Sequence, residues 1–150
     1  MKLYLCAFRL SHQPRLAGIK HLNRLENVLA RMEWDDASIA EGLLLDTAGW
    51  VVEGTMSNIF MRVGQKLVTP DLSYCGVAGL QRDRVIKHAP TLGLTAEISR
   101  FTLAMLLQAE EIFVCNSVIG VWPVRQIGAF NIPSGKIAAD VHHFLESEID

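Results

Sequence analysis

Short runs of apolar residues, many of them alternating with polar ones, recur along the chain and predict β-strands. The predicted strands cover residues 3–9, 43–46, 50–53, 58–63, 66–69, 94–98 and 111–115. Thr47-Ala48-Gly49 and Gly64-Gln65 each separate two neighbouring strands, which predicts two hairpins. Residues 118–122 are expected to be extended, with their pairing limited at Pro123 because proline has no backbone N–H.

Apolar residues spaced three and four positions apart predict helices between these strands. One helix is expected from residue 21 to about residue 35, and a second over residues 80–89. The face of the first helix that we expect to be buried consists of Leu22, Leu25, Val28, Leu29 and Met32. The inner face of the second consists of Leu80, Val85, Ile86 and Ala89. Two shorter helices are predicted to begin behind the capping hydroxyls of Thr102 and Ser134 and to run to about residues 108 and 146.

Strands and helices are thus mixed without strict alternation, and no repeat or linker interrupts the 150 residues. This order predicts one α/β (mixed) domain over residues 1–150, built on a curled mixed sheet that is flanked by helices. Half of the residues are hydrophobic, which is enough for a buried core at this length.

Charge and cysteine content narrow the function classes. The formal net charge is −2, so no basic field indicates nucleic-acid binding, and the apolar runs are too short for a membrane span. Cys6, Cys75 and Cys115 are odd in number and widely spaced, without a CxxC pair. This usage favours reduced thiols in the cytoplasm over a disulfide framework or a metal site.

Two charged residues suggest chemistry. Lys20 follows a glycine-containing loop at the predicted start of the first helix, where positive surroundings would favour a free amine able to attack an aldehyde. An exposed lysine in solvent is the ordinary alternative. Glu53 stands between apolar strand residues and Gly54. If it points inward it needs a cationic partner, such as a protonated pyridine nitrogen, and if it points outward it needs none.

Two further segments suggest anion binding. The glycine-bearing loop before residue 80 leads into a helix N-terminus, where free amides favour a phosphate. Asn116 and Ser117 end an apolar strand, and a hydroxyl there can face an anion, although a turn uses the same residues. Each of the four signals is weak when taken alone.

Their order along the chain resembles the branched-chain aminotransferase-like family, the fold type IV pyridoxal-phosphate enzymes. The matching motifs are Ile19-Lys20 with Asn23 and Leu25, Glu53-Gly54 with Ser57-Asn58-Ile59-Phe60, Thr69-Pro70, Gly79-Leu80-Gln81-Arg82, and Phe113-Val114-Cys115-Asn116-Ser117 with Pro123-Val124. The match spans nearly the whole chain, and the resemblance implies the curled, barrel-like C-terminal domain of these enzymes.

The resemblance also implies a role for each site residue, with pyridoxal 5'-phosphate as the cofactor. Lys20 matches the lysine that forms the Schiff base and later moves the proton, and Glu53 matches the carboxylate on the pyridine nitrogen. Leu80 and Gln81 match residues whose amides hold the phosphate. Ser117, with Asn116 beside it, matches a hydroxyl position on the same phosphate. Asn58 is expected to steady the strand that carries Glu53.

Residues 16–26 resemble the lyases of this family. This implies conversion of 4-amino-4-deoxychorismate to 4-aminobenzoate and pyruvate in folate biosynthesis, with Lys20 as base and then as acid for the leaving enolpyruvyl group. A D-amino-acid or branched-chain aminotransferase would use the same residues, and a non-catalytic assembly domain is a third possibility.

The family pattern includes a preceding α/β domain that supplies an arginine to the phosphate and part of the substrate pocket. Because the first predicted strand begins almost at Met1, we expect that domain to be absent here. The chain alone is therefore expected to bind pyridoxal phosphate weakly and to turn over poorly. The resemblance further implies a homodimer.

Overall fold

The computed structural model describes residues 1–147 and confirms the mixed α/β class. The strands are β1 Lys2–Leu10, β2 Ile39–Asp46, β3 Val51–Gly54, β4 Asn58–Val63, β5 Lys66–Pro70, β6 Thr95–Ser99, β7 Glu111–Asn116, β8 Gly120–Val124, β9 Gln126–Ile127 and β10 Phe130–Asn131. The α-helices are α1 Leu25–Arg31, α2 Leu80–His88, α3 Leu103–Leu106 and α4 Ile137–Ser147, and a 3-10 turn covers Ala89–Leu92. None of the helices in the described part of the chain is long and apolar enough to cross a membrane.

The strands form two five-stranded sheets, in the orders β10-β9-β1-β2-β3 and β6-β5-β4-β7-β8. Each sheet is mixed, since β1 pairs with β2 and β5 with β6 in parallel, whereas β2–β3 and β4–β5 are the two predicted antiparallel hairpins. Apolar side chains of both sheets share one buried cluster. Its members include Leu3, Leu43, Val51, Ile59, Ile112 and Val114.

Pro123 does not end the last long strand. It pairs with Phe113, and the ladder continues to Val124 opposite Ile112. The proline is tolerated because β8 is the edge strand of its sheet, where one side of the backbone needs no partner.

The first helix is shorter than expected and its apolar face is exposed. Helix α1 begins only at Leu25, so residues 21–24 are irregular and Lys20 is not at a helix start. Residues of the predicted inner face are 102 % exposed at Leu22, 62 % at Leu25 and 74 % at Met32. Instead, α1 contacts β1 and β2 through its other side, where Ala30 is buried. The expected burial of this face was wrong, because apolar periodicity identifies a helix face but not what covers it.

The second helix packs through most of its predicted inner face. Val85 and Ala89 are buried as expected and Ile86 packs against the same cluster, whereas Leu80 is 76 % exposed at the open end of α2. Arg82 is buried instead, and its Nη2 donates to the carbonyl of Pro70 at 3.0 Å. The predicted cap of α3 is confirmed, since the hydroxyl of Thr102 accepts from the backbone N–H of Met105.

Helix α4 is capped by a residue that is distant in sequence. The prediction that Ser134 caps it was wrong, because the buried carboxylate of Glu111 accepts from the backbone N–H groups of Ile137 at 3.1 Å and Ala138 at 2.8 Å. A Cβ at Gly135 would collide with this carboxylate, so only glycine lets the chain pass this close. A carboxylate at a helix N-terminus also opposes the positive end of the helix dipole.

We expect Glu111→Ala to lower the free energy of unfolding by about 2–3 kcal/mol, because two helix-end amides lose a buried, charged acceptor. Urea unfolding measures this loss. Glu110→Ala is the matched control, since Glu110 is the exposed neighbour and accepts one hydrogen bond, from Gly64. Equal losses in the two variants would contradict the capping role.

Candidate functional site

Glu53 lines a cavity of about 290 Å³, together with Ala17 and His21 of the loop that carries Lys20, although Lys20 itself is not among the lining residues. Strand β3 turns this side chain inward, where it is 3 % exposed. Among residues 1–147, its carboxylate accepts one hydrogen bond, from the backbone N–H of Val77 at 2.8 Å. Glu53 is thus a buried acid with capacity for a second partner on the cavity side.

Burial raises the pKa of Glu53 to about 7. The hydrogen bond from Val77 and the positive charges of Arg24 and Arg82 act in the opposite direction, whereas the charge of Glu41 adds to the rise. A carboxyl of this kind can ionise near neutral pH when a cationic group approaches it. It is therefore suited to a protonated ring nitrogen.

The segment before Lys20 is joined to the segment before α2. Gly18 and Val77 form a parallel bridge, in which Gly18 donates to the carbonyl of Gly76 at 2.9 Å and Ala78 donates to the carbonyl of Gly18 at 3.0 Å. Gly18 has a φ of +78°, a backbone conformation that residues other than glycine rarely adopt. The bridge holds the lysine loop against the residue whose amide binds Glu53.

Lys20 itself is exposed, and it lies between Ala17 and His21, which both line the cavity. The structure therefore places the loop of Lys20 and the carboxylate of Glu53 on the same cavity. His21 Nδ1 is buried there and has no hydrogen-bond partner within the described part of the chain. An unpaired buried ring nitrogen in a polar cavity is consistent with a site for a polar ligand.

Two of the predicted phosphate residues lie together at a second hollow. Gln81 and Ser117 both line a cavity of about 220 Å³, whereas Leu80 and Asn116 are next to them in the chain but are not among its lining residues. Gly79 precedes this nine-residue helix with extended backbone and no side-chain cap, so the first amides, those of Leu80 and Gln81, point away from the helix without an intrahelical partner. Such an end, with a hydroxyl beside it, favours an anion.

Asn58 and Asn116 shape the surroundings of this hollow. Asn58 Nδ2 donates to the carbonyl of Val77 at 2.7 Å, and its Oδ1 accepts from the N–H of Gly79 at 3.2 Å. Asn58 therefore holds the segment that leads into α2, rather than chiefly the strand of Glu53. The side chain of Asn116 donates to the carbonyl of Met56 and accepts from Val118 and Ile119. It supports the turn that carries Ser117, with its amide group already engaged.

Glu41 is a site-forming residue that the sequence reasoning missed. It is 1 % exposed and accepts hydrogen bonds from its neighbour in β2 and from the turn that follows Glu53. The donors are the backbone N–H groups of Gly42, Thr55 and Met56 and the hydroxyls of Thr55 and Ser57. A lone glutamate before an apolar run gave no sequence signal, because its partners in that turn lie 14 to 16 residues away.

Arg24 was also missed, whereas Gly76 belongs to the glycine-bearing loop that the sequence had indicated. Arg24 lines the Glu53 cavity, and its guanidinium donates to the carbonyls of Ile19 and His21. Gly76 has a φ of +91°, and a Cβ there would lie 2.8 Å from the side chains of Leu72 and Val52. The glycine before a helix was visible in the sequence, whereas the contacts of Arg24 with the backbone around Lys20 had no sequence signal.

Comparison with known proteins assigns the chain to a family. The model of amino-transferase class IV proteins matches residues 1–127, and the chain belongs to this family. Its mixed α/β fold and the Lys20–Glu53 arrangement are consistent with this membership.

The relatives include proteins of one particular activity. The chain is 40 % identical over 141 residues to the aminodeoxychorismate lyase of Vibrio harveyi, covering 91 % of this chain and 52 % of that protein. The 4-amino-4-deoxychorismate lyase structure from Pseudomonas aeruginosa is 45 % identical with a TM-score of 0.96, covering 100 % of this chain and 56 % of that one. A branched-chain amino acid aminotransferase structure from Thermotoga maritima is 29 % identical with a TM-score of 0.86, covering 97 % of this chain and 54 % of that one. The chain spans about half the length of these relatives.

Replacing Glu53 by glutamine should change how stability depends on pH. Because the folded-state pKa is about 7 against an ordinary 4.5, the folded protein holds this proton more tightly than the unfolded chain. The protonated acid contributes fully to the free energy of unfolding below about pH 4.5. That contribution, roughly 3 kcal/mol, is lost as the pH rises through about 7. We therefore expect cofactor-free Glu53→Gln to be more stable than the wild type at about pH 8 and similar to it at about pH 4. Urea unfolding at both pH values tests this, and parallel pH profiles would contradict it.

Proposed function

We propose that this chain forms the cofactor-binding part of a pyridoxal-phosphate-dependent lyase that converts 4-amino-4-deoxychorismate to 4-aminobenzoate and pyruvate. The observation that carries the proposal is the buried carboxylate of Glu53, which has one donor in the described chain and faces a cavity under the Lys20 loop. The relatives named as aminodeoxychorismate lyases, at 40 % and 45 % identity, favour this lyase over an aminotransferase.

The residues present fit pyridoxal phosphate. Glu53 would bind the pyridine nitrogen, and Lys20 would attach the cofactor through its Nζ. The amides of Leu80 and Gln81 would bind the phosphate together with the hydroxyl of Ser117. The support for this fit is a buried acid of raised pKa on one cavity, and on a second hollow the side chains of Gln81, at the uncapped start of α2, and of Ser117.

Bound pyridoxal phosphate would supply a ring that withdraws electrons from the carbon bearing the amine of the substrate. Lys20 Nζ would take the proton from that carbon and then deliver a proton to the departing enolpyruvyl group, which leaves as pyruvate. Glu53 would hold the ring nitrogen protonated by its negative charge. Loss of the enolpyruvyl group makes the ring of the substrate aromatic, which drives the reaction forward.

The test is an assay of the chain with pyridoxal phosphate and 4-amino-4-deoxychorismate, with 4-aminobenzoate followed by fluorescence. A parallel panel supplies D-amino acids or branched-chain amino acids with a keto-acid acceptor. We expect 4-aminobenzoate to form, slowly and with weak cofactor binding, because the chain spans about half the length of its relatives. Amino transfer without 4-aminobenzoate would support an aminotransferase instead. Cofactor binding with neither product would support a non-catalytic assembly domain.

The proposal includes a cytoplasmic homodimer. Cys6, Cys75 and Cys115 are free and buried, which is consistent with a reducing compartment. The exposed apolar residues of the lysine loop and α1 support coverage of this face by protein. They are Leu16, Ile19, Leu22, Leu25, Val28, Leu29 and Met32. Sedimentation velocity tests the dimer, and a monomer at every concentration would contradict it.

A further inference from the structure

Arg24 folds back over the segment that contains Lys20. Its Nη2 donates to the carbonyl of Ile19 at 2.8 Å, and its Nε donates to the carbonyl of His21 at 3.0 Å. These two carbonyls flank Lys20 on either side. One planar guanidinium thus spans the short stretch of backbone from which the lysine projects, a geometry that its fixed fork of donors makes possible.

This stretch has little other restraint. Residues 20–23 lie outside every helix and strand, and in the described part of the chain they form no backbone–backbone hydrogen bond. The Gly18–Val77 bridge holds the loop before Lys20, and α1 begins at Leu25 after it. Between these two anchors, the hydrogen bonds from Arg24 restrain the backbone directly.

The same guanidinium acts on Glu53. Both residues line the cavity under the lysine loop. Of the charged groups that shift the pKa of Glu53, Arg24 has the largest effect and lowers it, with Arg82 acting in the same direction and Glu41 in the opposite one. Arg24 therefore favours the ionised form of the acid that faces the cavity.

We propose that Arg24 is a positioning residue that serves both functional groups of the site, fixing the backbone on either side of Lys20 and placing a positive charge on the cavity that Glu53 also lines. The inference rests on the proposed function, in which Lys20 and Glu53 contact the cofactor. It goes beyond that function by making one side chain responsible for the placement of the amine and for a positive charge on the cavity of the acid.

Two variants separate the two roles. Arg24→Lys keeps the positive charge but its single ammonium group cannot reproduce the planar two-point contact, whereas Arg24→Met removes both. Arg31→Met is the matched control, because Arg31 lies on the adjoining helix α1 and also donates to a backbone carbonyl, that of Trp34 at 3.1 Å. Thermal unfolding of each variant verifies that it is folded before the site is probed.

Two measurements on the chain read the roles separately. The titration of the Glu53 carboxyl is followed by carbon-13 NMR without cofactor. The rate at which Lys20 is modified is followed with pyridoxal phosphate and borohydride, with mass spectrometry of the labelled peptide. We expect Arg24→Met to raise the pKa of Glu53 above the wild-type value and to slow labelling of Lys20 by about tenfold or more, since misplacement of a reacting group is costly. Arg24→Lys should leave the Glu53 titration near that of the wild type and still slow the labelling.

Two results would overturn the inference: an unchanged Glu53 titration in Arg24→Met, or wild-type labelling of Lys20 in Arg24→Lys. Equal slowing in Arg31→Met would also contradict it. These failures differ from a failure of the proposed function. If Lys20 of the wild type is not labelled in preference to other lysines, the assignment of the lysine falls. If it is labelled equally in wild type and Arg24 variants, only the role of Arg24 falls.

Discussion

Replacing Lys20 with alanine is expected to abolish the absorbance change that pyridoxal phosphate produces on binding and to reduce 4-aminobenzoate formation by about a thousandfold or more. The reason is that no other amine would replace Nζ, which attaches the cofactor and transfers the proton. Ultraviolet–visible absorbance after cofactor addition measures the first effect, and product fluorescence measures the second.

Two controls make this result specific. Lys20→Arg retains a positive charge at the position but cannot attach the aldehyde, so it should behave like the alanine variant. Lys87→Ala removes an exposed lysine from α2 and should leave the absorbance change intact. An unchanged absorbance band in Lys20→Ala would remove Lys20 from its proposed role.

The largest effect on stability is expected from Glu41→Ala. This buried carboxylate accepts from three backbone N–H groups and two hydroxyls around the turn that follows Glu53. Removing it takes this acceptor from all five donors, of which the N–H of Thr55 keeps the carbonyl of Gly42 at 3.1 Å, and the loss costs about 3–5 kcal/mol. Urea unfolding should show this loss, or the variant should fail to fold.

Glu41→Gln keeps the size and one acceptor oxygen, so it should lose less stability than the alanine variant and remain measurable. Glu33→Ala is a second comparison, since Glu33 accepts from the backbone N–H groups of Ala7 and Phe8 at a more exposed position. It should lose less than Glu41→Ala. A loss in Glu41→Ala no greater than in Glu33→Ala would show that the turn does not depend on Glu41.

Local pattern was sufficient to predict most of the strands. Hairpins β2–β3 and β4–β5 follow from alternating apolar residues and from turns that contain glycine, which are local signals. Strands β9 and β10 have two residues each and were missed, because so short a segment shows no periodicity. The direction of the apolar face of α1 could not be predicted either, since it depends on what the helix contacts and not on its own spacing.

The candidate site also contains residues that the sequence indicated and contacts that it did not. Lys20, Glu53 and the start of α2 could be proposed as site residues because the family resemblance rests on residue types in a fixed order, and these roles stay predictions. The partners that give these groups their properties could not. The amide of Val77 on Glu53 is a backbone group with no sequence signature, and Glu111 caps a helix that begins 26 residues later. Such contacts arise only once the chain has folded.

The bridge between Gly18 and Val77 has a consequence for how the site opens and closes. It joins the lysine loop to the segment that supplies the amide on Glu53 and leads into the N-terminal end of α2. A local fluctuation that breaks this bridge would displace the Lys20 loop, the amide on Glu53 and the start of α2 in one event. The three parts therefore form one cooperative unit, and a ligand that binds any of them should slow amide hydrogen exchange at Gly18 and Ala78 together.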